Sequence, residues 1–282
     1  MEHDEIYLID LWRIFSREWK WFVALLLLVL AGTYAFAHLS RRQWEATAWI
    51  QIGQVGQVPP GQDPKVEPLL RVIERLQLVP FENQILQSAG LSPDSPEARL
   101  YRSSLKLEPM PYAGPLIRMN IRAYSREQAN LLAEATVAEL HAIHQRLATI
   151  PLKSAQARLD RLQADLQVAL ADRARFLQEG ANGTGGKDAR DSVLVSMLLA
   201  NKNEEIRGLQ QGRDDLIDRL GPTYTYETSM MWPVYVPERQ AYPNPALTWG
   251  IGILLGGFLG TLAALVRNVV RRSVGKVSGS GM

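Results

Sequence analysis

Two uncharged apolar runs near the ends of the chain enclose a polar, charge-rich middle, and that division organises everything else. From Trp21 to Leu39 (WFVALLLLVLAGTYAFAHL) no formal charge interrupts the sequence. About 19 residues at about 1.5 Å each just cross a hydrocarbon core of about 30 Å, so the run predicts a transmembrane helix over 21–39. A cleaved signal peptide fits less well. The apolar run exceeds the usual h-region, and Leu39-Ser40-Arg41-Arg42 offers no small-residue cleavage site. Leu247 to Val266 (LTWGIGILLGGFLGTLAALV) is likewise free of charge and predicts a second span over 247–266.

The flanking cations set the orientation. Arg13, Arg17 and Lys20 precede the first run, and Arg267, Arg271, Arg272 and Lys276 follow the second, which directs both termini to the cytoplasm. The reading is a two-pass protein of a bacterial inner membrane with its main domain in the periplasm. Arg41 and Arg42 run against this rule, since they fall at the outer end of the first span. Trp19, Trp21 and Trp249 lie where aromatic belts form. Residues 1–20 read as a cytoplasmic amphipathic segment, because Leu8, Trp12, Phe15 and Trp19 recur at helical spacing beside basic residues. Residues 267–282 form a cytoplasmic tail without a phosphate loop, which argues against a fused kinase; its last four residues read as a cloning remnant.

The intervening segment divides in two. Residues 40–124 predict a small α+β base: a strand at Trp44–Ile52, a Gly/Pro loop at 53–64, helices near 68–78, 81–89 and 97–103, and strands at 104–108 and 115–124. In the last of these, Leu116, Arg118, Asn120 and Arg122 alternate with Ile117, Met119, Ile121 and Ala123. Residues 125–222 predict a long antiparallel helical hairpin of coiled-coil character. Leu159, Leu162, Leu166, Leu170 and Leu177 recur on its first arm, with Pro151 expected to kink it, and Val195, Leu199, Ile206, Leu209, Leu216 and Leu220 recur on its second. The join between the arms is the Gly-rich stretch 180–187. Residues 223–246 bring the chain back through a strand at Val234–Val236 and a proline-rich segment. A lone hairpin buries only one stripe per helix, which points to self-association.

Composition removes several functions. The formal net charge of the 282 residues is +2 with no dense Lys/Arg block, which leaves no footprint for nucleic acid. Cysteine is absent, which excludes disulfides, thiolate metal sites and cysteine nucleophiles. GANGTGGKD resembles a phosphate loop only superficially: Ala181 stands where a glycine is needed, Asp188 replaces the Ser/Thr, and a helix precedes it. His141 and His144 lack a third ligand nearby, so no metal site is expected. Asp214 and Asp215, like Glu204 and Glu205, are adjacent and point apart on a helix. No cofactor fingerprint and no catalytic constellation is present, and the expectation is a non-enzymatic protein. Tyr224, Tyr226, Trp232, Tyr235 and Tyr242 suit interfacial anchoring or core packing better than glycan stacking.

The sharpest local signal is in the second span, where Gly252, Gly256 and Gly260 recur every four residues with Gly257 beside them. Small residues at that spacing let a second helix approach closely, either within the chain or from a neighbour. Upstream, Pro237 is followed after four residues by Tyr242-Pro243-Asn244, and eleven residues later by Gly256-Gly257-Phe258-Leu259-Gly260. With Pro233, Pro245 and the opening Asp4–Trp12 (DEIYLIDLW), this resembles the polysaccharide co-polymerases, specifically the Wzz-type O-antigen chain-length determinants. The spacing agrees while several identities differ: Tyr242, Asn244 and Phe258 stand for Ser, Lys and Met, Thr261-Leu262 for Ala-Gly, and Pro233 lies one place out of register.

The resemblance implies a homo-oligomeric, bell-like periplasmic scaffold that acts with the O-antigen polymerase, and with the growing polysaccharide as a further partner, to set how many repeat units are joined. It implies no catalysis. The alternatives are an export or biosynthesis adaptor for capsule or exopolysaccharide with the same architecture and, less favoured, a membrane-anchored coiled-coil sensor.

Overall fold

A computed structural model of the chain describes residues 8–56, 63–110, 112, 114–182 and 189–278, with side chains described over 19–56, 63–110, 112, 114–179 and 193–267. The element order is α1 (Leu8–Leu39), β1 (Trp44–Gln51), α2 (Leu69–Leu76), α3 (Val79–Ser88), α4 (Pro96–Ser104), β2 (Lys106–Met110), β3 (Leu116–Ala123), α5 (Arg126–Asn182), α6 (Ala189–Leu220), β4 (Ser229–Met230) and α7 (Pro245–Ser278). The expected class, α+β with two long apolar helices flanking a small sheet and a helical hairpin, is the class found. The chain forms two compact units, one of residues 1–45, 123–126 and 237–282, the other of residues 46–122 and 127–236.

The first unit is the pair α1 and α7. Both are long and apolar enough to cross a membrane, over Trp19–Leu39 and Pro245–Arg267. Phe22 lies against Gly260 and Thr33 against Gly252, so the helices run antiparallel. The cytoplasmic amphipathic face expected of residues 8–18 lies outside the described side chains, as do Asp4–Tyr7 and Gly279–Met282.

The second unit holds the sheet, in the order β2-β3-β1-β4. β2 and β3 pair antiparallel from Lys106 opposite Asn120 to Met110 opposite Leu116, and β1 pairs antiparallel with β4 through Ile50 and Met230. Period-two alternation places Ala46, Ala48 and Ile50 of β1 with Ile117, Met119 and Ile121 of β3 in the core, together with Val72, Leu76, Ile85, Tyr101 and Leu132 from the helices. Ser95 caps α4 by accepting from the Ala98 N–H, with Pro96 at the first helical position.

Two local expectations need correction. The return strand is at Ser229–Met230 rather than 234–236, and Tyr235 makes only an isolated bridge to Thr47. Pro233 and Pro237 have no N–H to give and interrupt the ladder on either side. The apolar seam of the hairpin differs in part: Leu166, Ile206 and Leu216 are buried as expected and Ala169 joins them, with Leu209 packed against Leu166, Ala169 and Ile206, whereas Leu170 and Leu177 are 44% and 45% exposed. Repeated four-residue steps drift around a helix of 3.6 residues per turn, and the three-residue step from Leu166 to Ala169 keeps the seam facing its partner. Arg173 donates to Asn203 at 2.7 Å while Leu162 lies against Gly212, so the arms are antiparallel. At about 1.5 Å per residue, α5 spans about 85 Å and α6 about 48 Å. Residues 183–188 of the connection lie outside the described residues.

Candidate functional site

The glycines singled out in the second apolar run occupy one stripe of α7. Gly252, Gly256 and Gly260 are buried, and Ala264, 2% exposed, extends the stripe by one more four-residue step. A Cβ at Gly252 would lie 2.5 Å from Thr33 Oγ1, one at Gly256 2.7 Å from Leu26 Cδ1, and one at Gly260 2.7 Å from Phe22 Cδ2. These three therefore face α1. A Cβ at Gly257 would meet nothing within 4 Å, because one residue along a helix turns the position by about 100°. The ends of the pair carry polar aromatic contacts: Arg267 lies 4.3 Å over the Trp21 ring, and Phe36 meets Tyr242 edge-on at 6.4 Å.

The four prolines are divided between the two units. Pro237, Pro243 and Pro245 belong to the helix-pair unit and Pro233 to the other. Pro245 opens α7, where its missing N–H is no loss, and Asn244 caps the helix by accepting from the Ala246 and Leu247 N–H groups at 3.1 and 3.4 Å. Pro243 is buried, and its carbonyl accepts from Gln240 Nε2 at 3.0 Å.

The second unit holds a buried polar cluster that sequence reading missed. His144 is 2% exposed, as are Glu67 and Thr228. Thr228 Oγ1 accepts from the Gly53 N–H at 2.8 Å and so has its own proton to give to His144 Nδ1. The other nitrogen, Nε2, lies 3.2 Å from Glu67 Oε2 and donates to it. Every partner is matched with a neutral imidazole, and burial holds the His144 pKa below its ordinary value. Burial alone would raise the Glu67 carboxyl. Hydrogen bonds from Arg75, at 2.8 and 3.0 Å, and from His144 outweigh that effect and hold it below the usual carboxylate range.

His141, three residues earlier, carries the opposite tautomer. Its Nδ1 lies 2.6 Å from the Thr228 carbonyl, which can only accept, and its Nε2 lies 3.6 Å from Glu227 Oε2. The two histidines thus clasp residues 227 and 228 from α5, and their nitrogens do not converge on a shared coordination point. Gly53 permits the approach from the other side: a Cβ there would be 2.7 Å from the Thr228 nitrogen and 2.9 Å from the Tyr226 carbonyl oxygen. A cleft of about 440 Å³ beside the cluster is lined by Gln54, Val66, His144, Thr149 and Tyr226, among others. The available signal was His144 itself, one four-residue step after Leu140 on the buried stripe Ala133, Val137, Leu140. A histidine placed there must find partners.

Residues 4–92 match the family described as Wzz, chain length determinant protein. The matched stretch runs through α1, β1, α2 and α3, and the family matched is the one the sequence resembles. Among solved structures the chain is similar to a full-length bacterial polysaccharide co-polymerase, with 19% identity, 94% of this chain and 99% of that chain covered, and a TM-score of 0.42. It is also similar to the periplasmic domain of a chimeric lipopolysaccharide O-antigen chain length regulator, with 14% identity, 70% and 98% covered, and a TM-score of 0.25. A third is the wild-type Shigella flexneri lipopolysaccharide O-antigen chain-length regulator, with 13% identity, 70% and 99% covered, and a TM-score of 0.24. No curated protein sequence matches the chain.

Proposed function

We propose that this chain, whose residues 4–92 carry the Wzz signature, regulates the length of O-antigen polysaccharide without catalysing a step of its synthesis. The observation that carries the reading is that family match. In this reading α1 and α7 anchor the protein in the bacterial inner membrane with both termini cytoplasmic, and the sheet and hairpin work in the periplasm. The basic flanks Lys20 and Arg267 support that orientation.

The regulator acts as a homo-oligomeric scaffold with the O-antigen polymerase. Self-association is supported by what the hairpin leaves uncovered: Leu170, Leu177, Leu194 and Met197 are all 44% to 63% exposed, apolar surface that one α5/α6 pair does not bury. Gly257, like Gly250 open where Gly252, Gly256 and Gly260 are occupied by α1, is available to a helix from another chain. Pro243 and Pro245 stiffen the entry into α7.

Deleting the gene tests the function. The expected result is a shifted modal length in the lipopolysaccharide ladder on a gel, restored by the wild-type gene. An unchanged ladder refutes the reading, and complete loss of surface polymer would assign the chain to export instead.

A further inference from the structure

Arg41 and Arg42 follow α1 directly, at the end of the helix pair where the charge rule for spans leaves few cations. Both are exposed, and neither pairs with a carboxylate among the described residues. The Arg41 guanidinium lies 5.6 Å over the Tyr124 ring, which positions the charge without neutralising it. Arg239, in the segment leading back to α7, is also exposed and unpaired among the described residues.

A groove of about 410 Å³ opens between α1 and α7 at this end, with Val29, Gly32, Phe36, Tyr242, Ile251 and Leu255 among its lining residues. That volume is within the range of sites that hold small molecules. Backbone pairing joins the groove to the arginines: the Gln43 N–H donates to the Tyr242 carbonyl at 2.9 Å, and the Ala241 N–H donates to the Gln43 carbonyl at 2.8 Å. Arg42 is therefore next to a residue bonded to the groove wall, and Arg239 is three residues from Tyr242 on the other side. The floor has room, since a Cβ at Gly32 would meet nothing within 4 Å.

An apolar slot with uncompensated cations at its rim fits an amphiphile with one hydrocarbon chain and an anionic head. A free phosphate would leave the slot empty, and a purely apolar helix would leave the arginines unanswered. We propose that the α1/α7 groove seats one acyl chain of an anionic glycerophospholipid, whose phosphate is held by Arg41, Arg42 and Arg239. The seated lipid supplies the negative charge that these outward arginines otherwise lack. This inference rests on α1 and α7 being membrane spans.

The test uses the full chain in nanodiscs of phosphatidylcholine with or without one-fifth phosphatidylglycerol, with retained lipid counted by native mass spectrometry. Expected is one phosphatidylglycerol retained per chain. At about 1 kcal/mol per arginine near an anionic head, removing one arginine weakens retention about fivefold, and Arg41→Gln with Arg42→Gln weakens it about thirtyfold. Gly32→Leu fills the slot without altering charge and also abolishes retention, which diffuse surface attraction would not show. Equal retention of both lipids, or full retention by the Gly32→Leu variant, overturns the site. Retention of a polyprenyl diphosphate in place of the glycerophospholipid overturns the assigned lipid. Failure of the chain to incorporate into either nanodisc would defeat the membrane reading itself, a result distinct from incorporation without lipid preference.

Discussion

Gly252, Gly256, Gly257 and Gly260 of α7 make a graded prediction, because a Cβ added at each would meet a different environment. At Gly260 an added Cβ would sit 2.7 Å from Phe22 Cδ2 and 3.1 Å from the Phe22 carbonyl oxygen, which is backbone and cannot rotate away. At Gly252 it would sit 2.5 Å from Thr33 Oγ1 and 3.1 Å from Thr33 Cβ, and the Thr33 hydroxyl is held by its bond to the Val29 carbonyl at 2.9 Å. At Gly256 the near atom is only the end of Leu26, and the Leu26 Cα is 3.6 Å away. Overpacking costs about 1–3 kcal/mol, and replacing glycine by alanine inside a helix returns about 0.5–1 kcal/mol. Gly252→Ala and Gly260→Ala should therefore destabilise the helix pair by about 1–2 kcal/mol. Gly256→Ala should fall near zero to about 1 kcal/mol of loss, and Gly257→Ala, with nothing to meet, should be stabilising by up to about 1 kcal/mol. Unfolding by SDS in mixed micelles, followed through the fluorescence of Trp21 against Arg267, measures each. A loss for Gly257→Ala equal to that for Gly260→Ala would refute this assignment of faces.

Two further outcomes follow from buried polar groups. Because the His144 pKa is lowered, its contribution is intact above the ordinary value of 6.5 and is lost as pH falls below it, and Glu67, lowered from 4.5, adds a second loss below that value. Glu82, raised by burial, works in the opposite sense just above 4.5. Urea titrations at successive pH values should show stability falling from about pH 6.5 downward; His144→Leu should cost about 1–3 kcal/mol at pH 8, because the Thr228 hydroxyl loses its acceptor and Glu67 keeps only Arg75, and should abolish that first acid step. The Tyr101 hydroxyl, pushed up to about 12 by burial and bonded to Thr136 at 3.1 Å, should make stability fall as pH rises through 10. Tyr101→Phe should remove this alkaline loss at a cost of about 1 kcal/mol at neutral pH, because Thr136 keeps its own bond to the Leu132 carbonyl.

What could be read from the sequence was what local periodicity encodes. Alternation in Ile117, Met119 and Ile121 defined β3, and the leucine spacing of both arms defined the hairpin. Leucine identity was nevertheless an incomplete guide to the seam: Leu166 and Leu216 are buried, but Ala169 is 1% exposed and its neighbour Leu170 44%. Contact position in a paired helix depends on angle, and a small residue at the correct angle is buried while a large one beside it is not. The histidine cluster was beyond local pattern altogether: Glu67 and His144 are 77 positions apart, and Gly53 and Thr228 are 175 apart. Only the topology of the sheet, with β4 returning beside β1, brings them together.

The glycines lie between these cases. Their four-residue spacing stated that some helix approaches α7, but spacing carries no information about which helix. Thr33, Leu26 and Phe22 answer that for three of them, since α1 descends past α7 in the opposite direction and presents one residue roughly every four to each glycine in turn. Gly257 breaks the pattern by a single residue and so turns away from α1. A glycine without a partner inside the chain costs helix stability, by roughly 0.5–1 kcal/mol relative to alanine, without any packing in return from this chain. The unused face that includes Gly257, with Phe258 and Leu254 66% and 76% exposed, is therefore the part of α7 from which contact with another protein is to be sought.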